Sequence, residues 1–363
     1  MTRLDLSSLR VLPLAMRDSL LDVEKILVPP DSPAPPLGDA AAASVTLAAG
    51  KIREARARGA SVILMYGAHL LRNGAALIVT EMLERGWITH LATNGAGSIH
   101  DWEFAWLGRS CERVAENIAD GTFGAWEETG RNLHLALLAG GVNGAGYGAS
   151  VGRFIHEDGC TLPAHGGIRE RLTHPDGDAP ALAELLTEMQ RHALAAGRHE
   201  VIHRWKHASL LAQAHRLGIP ATVHPGIGYD IVSCHPLFNG AMIGRAAAED
   251  FRVFCGSVDS LDGGVVLAVG SAVMAPQVFE KSASCVNNLR VQDERPILHG
   301  HSIFVVDLQD GGGWDWAAGE PPATSPAYYL RFCKSFSRMG GAMRYAQCDN
   351  LAFMHNLLHA LRA

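Results

Sequence analysis

The sequence predicts an α/β fold, a Rossmann-like doubly wound parallel sheet with helices on both faces. Three observations carry it. Short apolar runs recur between stretches of helical spacing, giving a βαβ alternation. Within those runs apolar residues are consecutive rather than alternate, as in strands covered on both faces. Several of the runs end in glycine, where a strand gives way to a tight turn.

From the amino terminus, charges at Arg3, Asp5 and Arg10 break the first apolar stretch, so neither a signal peptide nor a membrane span is expected there. Residues 29–38 hold five prolines, which remove amide donors and stiffen the backbone. Residues 1–38 are therefore expected to form an arm with a proline-rich linker, and 39–363 a single large α/β domain. The alanine-rich run from Asp39 to Arg58 ends in alternating arginines before Gly59, as a helix with a cationic last turn and a glycine stop does. Residues 61–67 then predict a strand, 76–86 a helix, and 87–97 a strand running into glycines. Downstream, 207–218 predicts a helix, 219–226 a strand, 241–254 a helix and 263–272 a strand. A helix opening at Pro276 and a strand at 301–308 follow. Between about 120 and 177 glycine and histidine are frequent and periodicity is poor, so an irregular excursion over the strand ends is expected.

Composition narrows the function classes. With 48% hydrophobic residues, 19% charged residues and 39 glycines, the 363-residue chain is that of a globular protein with many tight turns. A formal charge of -6 offers no cationic surface to a polyanion, so nucleic acid is not expected as a partner. No stretch supplies about 18 uninterrupted apolar residues, so no membrane is expected either. Seven cysteines without a C-x-x-C pair read as reduced thiols, and the cytoplasm is the expected compartment.

Where the carboxyl end of a strand meets a helix, backbone amides receive a pyrophosphate if glycine lets it approach. Thr93, Asn94, Gly95, Ala96, Gly97 and Ser98 lie at such a junction, although His100 stands where the dinucleotide fingerprint has its third glycine. Gly270 and Ser271 form a second junction, ahead of the helix that opens at Pro276. The segment from His224 to Asp230 is a third, in which Asp230 is suited to accept hydrogen bonds from a ribose hydroxyl or to pair with an amine.

At these residues the chain resembles the deoxyhypusine synthase family. The segment ITHLATNGAGSIHDWE (88–103) is similar to that family's strand and glycine turn, with Asp101 and Glu103 near its acidic positions. Met65 to His69 falls where the family has another cofactor-facing turn, HPGIGYDI resembles its Pro-x-x-x-Asp-Gly-Ser-x-Gly-Asp region, and DGGVVLAVGSAV resembles its strand running into consecutive glycines. Pro326 is followed eight positions later by Lys334, the spacing of the family's catalytic lysine block, with Phe332 where the family has Trp. The resemblance implies NAD as cofactor, Asp101 and Glu103 beside it, and a homotetramer. It also implies transferase chemistry on a small amine or polyamine. In the family's chemistry the amine gives a hydride to NAD, the imine is attacked by a second amine such as a protein lysine, and the reduced cofactor returns the hydride.

Such chemistry needs a lysine able to lose its proton, because only an uncharged amine adds to an imine carbon. Lys334 is the expected catalytic group. His224 and His235, with His100 as a third candidate, are the expected proton carriers, since imidazole titrates near neutral pH. Trp102, Trp106 and Trp126 are possible lining residues. The structural alternative is a surface lysine beside Arg331 and Arg338 and histidines bonded within the fold. The chain has no H-E-x-x-H, and neither His203 with His207 nor His299 with His301 has an evident carboxylate beside it, so no metal is expected. Two other functions stand beside the enzyme reading: an NAD-binding protein without catalysis, and a serine hydrolase in which Gly148 to Gly152 is a nucleophile elbow around Ser150.

Overall fold

The computed structural model describes residues 3–174 and 177–363. The chain divides into two compact units, each drawn from two stretches of sequence: Leu27–Gly97 with Phe251–Ala363, and Met1–Ile26 with Ser98–Asp250. This division does not follow the boundary expected at residue 38.

The unit built from Leu27–Gly97 and Phe251–Ala363 is α/β. Its strands are β1 (Val62–Tyr66), β2 (His90–Asn94), β3 (Val265–Val269), β4 (Ser302–Asp307) and β5 (Ala342–Gln347). They pair in parallel in the order β5-β4-β3-β1-β2. In register, Leu64 lies beside Leu91 and Leu267, and Leu267 beside Phe304. Every residue of β1 and β3 is buried, which a central strand between two helical layers requires. β5 instead buries only Met343 and Ala346, with Tyr345 half-buried and the rest exposed, and its sequence carries no apolar run to announce it.

Helices α1 (Asp39–Ala57), α2 (Ala68–Arg72), α3 (Ala76–Glu84), α4 (Met274–Gln292), α5 (Arg331–Ser337) and α6 (Asn350–Arg362) flank the sheet. α1 buries Val45, Ala48, Ala49, Ile52 and Ala55, a helical stripe whose small residues let it close against α6. One apolar cluster gathers Met65, Ala268 and Val305 from the strands with Phe279 of α4 and Phe332 and Phe336 of α5.

The strand order has one switch point. From β1 the chain goes to β2 on one side, then returns to β3 on the other side and continues outward to β4 and β5. Direction therefore switches between β1 and β3, and in an open parallel sheet the crevice at the carboxyl ends of such a pair is the ligand position.

The proline-rich segment is a strap on α6 rather than a free arm. The Pro30 carbonyl accepts from His359 Nε2 (3.1 Å), Arg362 Nη1 (3.2 Å) and His355 Nε2 (3.3 Å), and Asn356 Nδ2 donates to the Pro35 carbonyl (2.8 Å). Its prolines lack amide donors but keep their carbonyls, and those are what α6 holds.

The other unit is largely helical, and it corrects the irregular excursion expected at about 120–177. Helices Glu127–Gly141, Tyr147–His156 and His165–Thr173 occupy most of that stretch, and strand Gly159–Leu162 pairs antiparallel with Gly197–Glu200. Pro175 and Asp176 lie outside the described residues. Several of its glycines sit inside helices at points where neighbours press close. A β-carbon on Gly140 would collide with Ser150, one on Gly148 with the Ala221 carbonyl, and one on Gly152 with the Leu211 carbonyl. Low helix propensity makes such glycines look like loop in sequence, while packing decides the outcome.

Candidate functional site

Three backbone hydrogen bonds extend the parallel pairing past the strand ends of the α/β unit. The Gly67 amide donates to the Val269 carbonyl (3.1 Å), the Gly270 amide to Val306 (2.9 Å) and the Cys348 amide to Asp307 (3.1 Å). The turns that follow the strands are thereby held at one level. Between β1 and β3 the fit is tight: a β-carbon on Gly67 would overlap the Gly270 carbonyl oxygen. Gly270 itself has φ of +58°, and a side chain there would run into the Asn350 amide group. Glycine is required at both positions, and the first residue of α6 is packed against the turn after β3.

Beside this pair, buried polar atoms lack partners. Ser271 is 9% exposed and Asn350 6%, yet Ser271 Oγ and Asn350 Oδ1 make no hydrogen bond. Nε of Arg72, at the end of α2, is also buried and unpaired, while its Nη1 lies 3.4 Å from His69 Nε2. Each such atom costs about 1–3 kcal/mol when left unsatisfied, so a polar ligand at this end of the sheet would offset that cost.

Two ionisable groups complete the edge. Burial, helped by Arg72 and opposed by Asp307, lowers the His69 imidazole below its ordinary value and favours its neutral form. Asp307 ends β4; its Oδ1 accepts from the Gln309 amide (3.2 Å), and its Oδ2 takes no bond from any described residue. Asp349, by contrast, caps α6 through the Ala352 amide (2.9 Å) and accepts from Asn73 Nδ2 (3.3 Å).

Of the residues singled out from sequence, Gly270 and Ser271 lie in this crevice. The turn at 93–98 is closed upon itself. β2 leads directly into a helix whose first residues are Gly95 and Ala96, Asn94 Oδ1 caps the Gly97 amide (2.9 Å), and Thr93 Oγ1 donates to the Tyr66 carbonyl (2.9 Å). Gly97 is glycine because a β-carbon would collide with the Thr93 side chain. Lys334, in α5, has its ammonium 3.6 Å from Glu320 Oε1 and 3.0 Å from the centre of the Tyr328 ring.

The remaining candidates belong to the helical unit and are occupied within it. Ser98 is buried with its hydroxyl 3.5 Å from that of Tyr147. Asp101 accepts from the Leu210 (2.7 Å) and Leu211 (3.4 Å) amides and from the Ser209 hydroxyl; it anchors helix Leu210–Leu217, and burial raises its pKa to about 7. Glu103 grips Arg17 through both oxygens (2.9 and 2.7 Å) and accepts from Thr129 (2.8 Å) and Ser110. Burial opposes its ionisation, but Arg17 prevails and holds its pKa below the ordinary value. These two carboxylates, expected beside the cofactor, are instead saturated within the interior of their unit.

Asp230 accepts from the Gly226 amide (2.7 Å) and so closes its own turn. Burial lowers His224 and His235 to about 4. His224 Nε2 lies 3.1 Å from Thr222 Oγ1, and His235 stacks on His134 with ring centres 5.8 Å apart. His100 Nδ1 is 2.7 Å from Ser110 Oγ. The expected set of Lys334, His224 and His235 is thus assembled within neither unit.

Ser150 is not on a nucleophile elbow. It sits within helix Tyr147–His156, donates to the Gly146 carbonyl (2.6 Å), and borders a cavity of about 100 Å³ that no histidine lines. Among the described residues no group of three His, Cys, Asp or Glu is placed to hold a metal ion, and no helix is long and apolar enough to cross a membrane.

No protein-family model and no curated protein matches the chain. Among solved structures it aligns with unliganded AgrE at 14% identity and a TM-score of 0.44, over 89% of this chain and 33% of AgrE. The ternary complex of AgrE with ornithine and NAD+ aligns at 14% and 0.45, over 90% and 34%. A conserved putative LOR/SDH protein from Methanococcus maripaludis S2 aligns at 16% and 0.40, over 92% and 73%. The chain spans about a third of the length of AgrE.

Proposed function

We propose that the α/β unit binds NAD in the crevice between the turns after β1 and β3, and that the protein uses it to oxidise a small amine. The observation that carries this reading is the pair of buried, unpartnered atoms Ser271 Oγ and Asn350 Oδ1 beside Gly270, at the point where strand order switches. The residues present fit a dinucleotide. Glycine at 67 and 270 keeps side chains out of the turns, Ser271 offers a hydroxyl, and Arg72 offers an unpaired guanidinium N–H suited to a phosphate oxygen.

When bound, NAD supplies a hydride acceptor, so that an amine carbon loses hydride, the amine becomes an imine and a proton is released. His69, whose pKa burial and Arg72 lower against the pull of Asp307, is the imidazole at this edge placed to take that proton. The narrower reading, transfer of an aminobutyl group to a protein lysine as in the deoxyhypusine synthase family, assigns an imine to Lys334. That ammonium is committed to Glu320 and Tyr328, so the proposal stops at amine oxidation.

The test is NADH absorbance after mixing the protein with NAD and single amines: ornithine, arginine, spermidine and simple diamines. An NADH signal with one of them, diminished in His69→Gln, supports the reading. NAD binding without NADH from any amine leaves a binding protein.

A further inference from the structure

We infer that Asp307 receives the adenosine ribose of the cofactor and selects NAD over NADP. This rests on the NAD reading above and adds the identity of the residue that discriminates. β3, the Gly270-Ser271 turn, α4 and β4 form one βαβ unit whose two strands are adjacent and parallel. Val269 pairs with Val306, so the residues just beyond them, Gly270 and Asp307, are neighbours across one strand spacing of about 4.8 Å. A dinucleotide whose pyrophosphate rested on the Gly270 turn would have Asp307, at the end of the next strand, within reach of its attached ribose. In nucleotide-binding βαβ units a carboxylate there accepts from the ribose hydroxyls and repels a 2′-phosphate.

Asp307 has the required chemistry. Its Oδ1 is fixed by the Gln309 amide (3.2 Å), its Oδ2 is open, and no described lysine or arginine pairs with it. Asp349, at the end of the neighbouring strand, has both oxygens engaged by Ala352 and Asn73. The long α4 and the connection after it place Asp307 farther along the chain than the twenty or so residues usual in the dinucleotide fingerprint. Strand adjacency, not sequence spacing, sets the contact.

The experiment is equilibrium binding of NAD and of NADP to the full chain and to Asp307→Asn, with melting curves to confirm that the variant is folded. Asn keeps an oxygen for the Gln309 amide and removes only the charge. The wild type should bind NAD at least about 10-fold more tightly than NADP, and the variant should lose that preference by weakening NAD and not NADP. Equal binding of the two nucleotides by the wild type overturns the inference while the site reading stands, and this comparison needs no variant. So does an Asn variant that weakens both alike, which would make Asp307 a turn residue only. If the wild type binds neither nucleotide, both readings fall.

Discussion

The carbonyl oxygen of Gly270 fills the space that a β-carbon on Gly67 would need. Because the obstructing atom is backbone, it cannot swing aside as a side chain would. Gly67→Ala should therefore destabilise the protein by about 2–3 kcal/mol, the cost of overpacking a tight contact. Gly50→Ala is the matching control: it lies within α1 with nothing near its would-be β-carbon, and it should gain up to about 1 kcal/mol from helix propensity. Denaturant unfolding of the two variants reads both signs. A Gly67→Ala midpoint equal to wild type would mean the two turns are not in contact.

Ser271→Ala separates fold from function at the crevice. The hydroxyl is buried without a partner, so its removal should leave stability unchanged or slightly raised. NAD affinity should fall about 10-fold with the loss of one hydrogen bond to a charged group. Melting curves and NAD titration are measured on the same preparation. Lost stability with unchanged affinity would assign the hydroxyl to the fold.

Glu103 should behave as an interior strut. Removing one partner of the buried Arg17–Glu103 pair in Glu103→Ala leaves Arg17 uncompensated and should cost about 3–5 kcal/mol. A stable variant with impaired NAD binding would restore Glu103 to the cofactor.

The helical unit should be acid-sensitive. Burial lowers His134, His203, His224 and His235 to about 4, against an ordinary 6.5. Their pKa values are depressed on folding, so the stability they contribute is whole above pH 6.5 and is lost as pH falls toward 4. Asp101 and Asp250, raised by burial to about 7, act oppositely and gain as pH falls from 7 toward 4. Near pH 5 unfolding then takes up about four protons at the histidines and releases about two at the aspartates. The net slope is roughly 2–3 kcal/mol of lost stability per pH unit. Chemical denaturation from pH 7 to 5 measures it, and His134→Phe should flatten it. A pH-independent midpoint would show that these imidazoles are not buried neutral.

The sheet was legible because β1, β3 and β4 are short runs buried on both faces, set between stretches of helical spacing. β5 escaped because this edge strand buries only Met343 and Ala346 and has no apolar run, and with it went Asn350, whose side chain lies against Gly270. The strand-then-glycine signal placed the turn at Gly270 and Ser271, and the structure has that turn directly after β3. At 93–98 the missing β-carbon of Gly97 makes room for the Thr93 side chain, which sequence does not reveal. Asp101 and Glu103 misled for a related reason: a carboxylate after a glycine turn looks available until its donors, Ser209, Leu210, Arg17 and Thr129, arrive from distant parts of the chain.

The most direct measurement is a melting scan of the wild-type chain with NAD, paired with calorimetric titration. A ligand that binds only the folded state at a hundred times its Kd adds roughly 2.7 kcal/mol, so millimolar NAD should raise the melting temperature by several degrees. Titration should give one site per chain, weakened in Ser271→Ala. No shift and no heat with NAD would mean that the crevice at Gly67 and Gly270 is not a dinucleotide site.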